Sequence, residues 1–148
     1  MKLLVVGGSG LLGFKVAELA AREFETFATY NFRPAELHGC RFFKLDKTDR
    51  SDTLTLVNKL KPDVVIDTAA LHNVDYCETH RDEAWKVNVE GTRNVAEACR
   101  EVGAKMIFVS TDYVFDGKKG FYTEEDAPNP LHYYAQTKLE GEHVVKDA

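Results

Sequence analysis

Short runs of apolar and β-branched residues alternate along this chain with longer stretches whose apolar positions recur at helical spacing. Leu3–Val6 is such a run and stops at Gly7. From Leu11 to Arg22, the residues Leu11, Leu12, Val16, Leu19 and Ala20 recur with the period of a helix. Thr26–Tyr30 and Arg41–Lys44 predict a second and a third strand. Asp52–Leu60 predicts a helix, with Ser51 or Asp52 near its N-cap and Pro62 beyond its end. Asp63–Asp67 is apolar throughout its interior, as expected of a fourth strand covered on both faces. Asp82–Val102 predicts a long helix closed by Gly103, and Lys105–Ser110 a fifth strand. Asp112–Pro130 is rich in turn residues, and Leu131–Lys146 reads as the last helix. This alternation predicts an α/β fold with a parallel sheet between helices. Right-handed crossovers leave the doubly wound order 3-2-1-4-5 as the simplest topology.

The 148 residues suit one domain, and no repeat or low-complexity tract divides them. The longest apolar run near the N-terminus, Leu3–Val6, is too short for a signal peptide or a membrane span, so a cytoplasmic protein without a membrane partner is expected. A formal net charge of −5 argues against nucleic acid as a partner, because a phosphate-backbone footprint is basic. Cys40, Cys77 and Cys99 are widely spaced and form no CxxC pair, so neither a metal site nor a disulfide framework is expected.

The segment Gly7-Gly8-Ser9-Gly10-Leu11-Leu12-Gly13 joins the first strand to the first helix. It satisfies G-x-G-x-x-G and also the looser spacing of Gly7, Gly10 and Gly13. Glycines here permit a tight turn, close approach of a pyrophosphate, and close packing of helix on strand. The helix start then offers its amides and positive dipole end to the phosphates. Gly7, Gly10, Leu11, Leu12 and Gly13 are therefore the expected dinucleotide contacts of a Rossmann-type domain spanning residues 1–148. After the second strand, Asn31 stands where a carboxylate would hold a ribose 2′-hydroxyl, and Arg33 follows as a partner for a 2′-phosphate. NADP(H) is expected in preference to NAD(H).

Tyr134 and Lys138 are four residues apart on the last helix and share a face. An ammonium beside a phenol favours the phenolate and brings its pKa towards the working range. Tyr133 has only Thr137 at that offset. Ser110 and Thr111 leave the carboxyl end of the fifth strand, where ligands of open α/β sheets gather, and can donate a hydrogen bond to a carbonyl oxygen.

Gly-Gly-Ser-Gly-Leu-Leu-Gly, the stretch Ser110–Gly117 (Ser-Thr-Asp-Tyr-Val-Phe-Asp-Gly) and Tyr134-x-x-x-Lys138-Leu-Glu-Gly-Glu together resemble the extended short-chain dehydrogenase/reductases. Within them the chain looks like the dTDP-4-dehydrorhamnose reductase branch, over its whole length. The resemblance makes Thr111, Tyr134 and Lys138 the catalytic hydroxyl, tyrosine and lysine, with Tyr134 and Lys138 also meeting the cofactor. It places Asp46, Ala69, Ala70 and Leu71 against the adenine and ribose, and Asn88 close to the active site among the cofactor-binding residues. It implies an NADPH-dependent reductase of a nucleotide-activated 4-keto-6-deoxy sugar in dTDP-rhamnose biosynthesis; a homodimer is compatible with it. Two other functions fit the same resemblance: a regulatory subunit like the accessory subunit of methionine adenosyltransferase, and an NAD-dependent sugar-nucleotide epimerase or dehydratase. In this chain Ala135 follows the tyrosine where the family usually has glycine. Family members are longer, and the resemblance implies a C-terminal substrate lobe outside these residues, without which the sugar pocket is incomplete.

Overall fold

A computed structural model describes residues 1–148. Five parallel strands, β1 (Lys2–Val6), β2 (Glu25–Tyr30), β3 (Cys40–Lys44), β4 (Val64–Asp67) and β5 (Lys105–Phe108), form one sheet in the order β3-β2-β1-β4-β5. That is the order expected from the alternating pattern. The strand β1 alternates its side chains between two cores, as the two-residue period of a strand requires. Leu4 and Val6 join Phe27, Val57, Val65 and Val95 on one face, whereas Leu3 and Val5 join Ala17, Ala20 and Ala28 on the other.

The helices divide unequally between these faces. The helix α1 (Leu11–Ala20) lies alone on one side, where Ala17 and Ala20 allow it close to the sheet. On the other side lie α2 (Arg50–Leu60), α5 (Gly91–Val102) and α6 (Tyr133–Lys146). Ile107 of β5 points to the sparsely covered side and is 51% exposed. No helix is long and apolar enough to cross a membrane.

Several boundaries differ from expectation. The cap of α2 is Asp49, whose side chain accepts the Asp52 N–H, rather than Ser51 or Asp52. The final helix begins at Tyr133, because the His132 ring nitrogen accepts the Ala135 N–H and fixes the start there. A short helix, α3 (Val74–Thr79), was not expected. The long helix runs as α4 (Arg81–Trp85), a π-turn (Lys86–Glu90) and α5. Single π-turns inside helices re-aim side chains, and this one holds Asn88 in the interior at 1% exposure.

Candidate active site

The chain turns at the end of β1 through Gly7, whose φ of +82° is open to glycine but costly for other residues. The Gly7 N–H donates to the Thr29 hydroxyl, and its carbonyl accepts the Gly10 N–H. A Cβ on Gly13 would lie 2.3 Å from the Gly7 carbonyl oxygen, so only glycine lets α1 start this close to the strand. Gly10 caps α1 without a side chain, which leaves the first-turn amides of Leu11 to Gly13 open towards a cleft of about 540 Å³.

That cleft lies at the carboxyl ends of the strands, where β1 and β4 diverge into opposite halves of the sheet. Ligands bind at such a switch point in open α/β sheets. Its base is the glycine turn, with Gly7, Gly10, Leu11, Leu12 and Gly13. One wall follows β2 and β3 and carries Asn31, Phe32 and Asp46 to Thr48; the other follows β4 and carries Thr68, Ala69, Ala70, Leu71 and His72. Glu83 and Lys86 border its far end. An amide-lined base beneath a helix N-terminus suits a pyrophosphate, and a bare glycine surface lets it approach closely. The residues present therefore fit a dinucleotide.

Two expected contacts are not on these walls. Arg33 is exposed and off the cleft; Phe32 occupies the lip instead and is 91% exposed. Asn88 has its carboxamide occupied by protein. Its Oδ1 accepts the Leu71 N–H at 2.8 Å, and its Nδ2 donates to the Leu71 carbonyl and the Thr137 hydroxyl at 3.0 Å each. Asn88 thus joins the cleft wall to α6 from behind. Phe32, Lys47, Thr48, His72, Glu83 and Lys86 were not singled out from the sequence: the first four are single loop residues, which carry no periodic signal, and Glu83 and Lys86 are polar helix positions that read as solvent-facing.

The reactive trio lies next to this cleft rather than on its wall, beyond β5 and at the start of α6. Thr111 caps the 3₁₀ turn Asp112–Val114 by accepting the Tyr113 N–H. Tyr134 is half-buried, stacked on His132 at 6.0 Å between ring centres and edge-on to Tyr113 at 6.5 Å. Tyr133 turns away, with the Arg81 guanidinium over its ring. Burial raises the Tyr134 phenol above its ordinary value, and the Thr111 hydroxyl opposes that rise.

Lys138 is 3% exposed; its Nζ donates to the Val109 carbonyl at 2.6 Å and lies 3.8 Å from the centre of the Phe108 ring. Burial lowers it to about 8, the Lys47 ammonium adding to the effect while Asp67 and Glu142 oppose it. The expectation that Lys138 lowers the phenol is not met, because its ammonium is directed to the end of β5. At neutral pH the phenol is protonated, the form that can give a proton.

A doubly wound Rossmann-type fold with this glycine turn, and with Tyr-x-x-x-Lys on the helix after β5, defines the class of extended short-chain dehydrogenase/reductases. Residues 1–148 match the RmlD substrate binding domain family, and the chain belongs to that family. It is 35% identical over 144 residues to methionine adenosyltransferase 2 subunit beta of Bos taurus, covering 97% of this chain and 42% of that protein. A hypothetical dTDP-4-dehydrorhamnose reductase from Sulfolobus tokodaii superposes with a TM-score of 0.89 at 40% identity, covering 97% of this chain and 51% of that one. The dTDP-4-dehydrorhamnose reductase of Bacillus anthracis, solved with NADP, gives 0.85 at 34% identity over 99% and 49% of the two chains. The chain thus spans about half the length of these relatives.

Proposed function

We propose that this chain is the coenzyme-binding part of an NADP(H)-dependent reductase acting on the keto group of a nucleotide-activated deoxysugar. The observation that carries this reading is that Asn88 ties Leu71, on the wall of a dinucleotide-shaped cleft, to the helix bearing a protonated Tyr134.

The coenzyme, when bound, supplies the hydride. Tyr134 gives its phenolic proton to the carbonyl oxygen as that oxygen gains charge, which general acid catalysis makes worth about 10²–10⁴ in rate. Thr111, one turn of chain beyond β5, donates a hydrogen bond to the same oxygen and orients it. Lys138, whose Nζ here donates to the Val109 carbonyl, would hold a ribose hydroxyl of the coenzyme. The proposed preference for NADP(H) rests on the uncharged Asn31 at the cleft wall, which spares a 2′-phosphate the repulsion of a carboxylate. The dTDP-linked substrate is proposed from the two reductases named above.

Calorimetry with NADPH and NADH, followed by NADPH oxidation with a dTDP-4-keto-6-deoxy sugar, tests the reading. Tyr134→Phe should lose about 10²-fold or more in turnover and keep coenzyme binding. No heat with either coenzyme overturns the proposal.

A second reading, an NADP-binding regulatory subunit, is favoured by the 35% identity to methionine adenosyltransferase 2 subunit beta and by a lysine engaged by the Val109 carbonyl. Coenzyme binding without turnover, with capture of a methionine adenosyltransferase catalytic subunit, would establish it instead.

A further inference from the structure

An ion pair that the reaction above does not use reaches from the cleft wall, at Lys47, to Asp67 behind it. The Lys47 side chain is 4% exposed and that of Asp67 is 0%. All three ammonium protons have partners: the Asp67 carboxylate at 2.8 Å, the Ala69 carbonyl at 2.7 Å and the Thr92 hydroxyl at 3.2 Å. The other carboxylate oxygen of Asp67 accepts the Ala69 N–H at 3.0 Å. Both backbone polar groups of Ala69 are therefore held by one buried pair. The lysine is seated as firmly on its own side. Asn94 donates to its carbonyl, and its stem lies so close to Gly91 that a Cβ there would come within 2.9 Å of Lys47 Cγ.

The partners belong to opposite walls. Lys47 sits in the loop after β3, while Asp67 ends β4 and leads directly into Ala69 and Ala70. Hydrophobic packing alone would close this space at no greater cost, since apolar replacement of a buried ion pair is often neutral or stabilising. What a shape-blind contact cannot supply is a fixed separation and peptide orientation. With every ammonium proton engaged, Lys47 has none left for a phosphate, so its lysine character serves the protein rather than a ligand.

We infer that Lys47 and Asp67 are positioning residues for the coenzyme: they fix the spacing of the two cleft walls through Ala69, while the ammonium gives no hydrogen bond to the ligand. The inference rests on reading this cleft as a dinucleotide site, and the test separates the two. In Lys47→Met/Asp67→Asn both charges are removed and the side-chain shapes are nearly kept. Provided that it melts cooperatively, its Ala69 amide should exchange about ten-fold faster than the parent's in the absence of ligand. Its NADPH dissociation constant should rise by a similar factor. Parent-like exchange overturns the clamp, and faster exchange with parent-like affinity overturns its role in positioning the coenzyme. If the double variant does not fold, Thr92→Val removes one partner of Lys47 at constant shape. It should speed the Ala69 amide by about two- to five-fold, and parent-like exchange there overturns the clamp as well. If the parent itself binds no coenzyme, the dinucleotide reading fails and the positioning role falls with it, while the exchange rates still decide whether the clamp exists.

Discussion

At Gly13 a single methyl group would meet the Gly7 carbonyl at 2.3 Å and the Thr68 hydroxyl at 2.7 Å, neither of which can retreat without unmaking the turn. Gly13→Ala should therefore cost about 1–3 kcal/mol as overpacking, seen in urea denaturation, and weaken coenzyme binding. Asn31→Asp at the cleft wall should reverse the proposed preference, raising the NADPH dissociation constant about ten-fold or more, about 1.4 kcal/mol, while NADH improves; equal effects on both coenzymes would count against it. Lys138 makes a pH-dependent prediction. Its folded value is lowered from 10.5 to about 8. Below about 8 both folded and unfolded chains carry the charge, and the penalty for burying it is fully felt. Between about 8 and 10.5 only the unfolded chain remains protonated, so this residue's contribution to stability rises with pH. Relative to Lys138→Met, the parent should gain roughly 3 kcal/mol between pH 7 and pH 10.5. Comparing the pair cancels the opposing contribution of Cys40 and Cys99, whose thiols burial raises to about 11 and about 12.

Among the elements, α6 depends most on its first turn. The His132 ring accepts the Ala135 N–H at 3.2 Å and the Glu78 carboxylate accepts the Tyr133 N–H at 2.6 Å, two of the four amides that a helix start leaves unpaired. His132→Ala should cost about 1 kcal/mol, as lost caps do, and His132→Asn should recover most of it because asparagine caps well; urea denaturation of the two variants measures both. The five strands and the long helices were legible because their apolar residues repeat over many positions. The helix α3, six residues long, repeats too few times to be seen, and a π-turn alters hydrogen bonding without interrupting the helix. Asp49, Ser51 and Asp52 can all cap, so the choice among them was settled only by the tertiary position of α2. The candidate site was legible as motifs but not as contacts. Lys47 carries the mark of a surface residue in any local pattern, and its partner stands 20 residues away. Phe32 rather than Arg33 lines the cleft, because the direction of a loop side chain follows from backbone geometry rather than residue type.

On the scale of the molecule, the strand that carries the glycine turn is also the middle of the sheet. Leu3 pairs with Thr26 on one side and with Val64 on the other. Leu3 thus waits for about sixty further residues before its second neighbour exists, and parallel pairing over such separations is slow. Until β4 arrives, Leu3 to Val6 is an unsatisfied hydrophobic template. A nascent chain released near residue 62 should therefore give an unstructured, aggregation-prone polypeptide, whereas release beyond Phe108 lets all five strands close together. A coenzyme could not assist before β4, since the wall from Thr68 to His72 follows it.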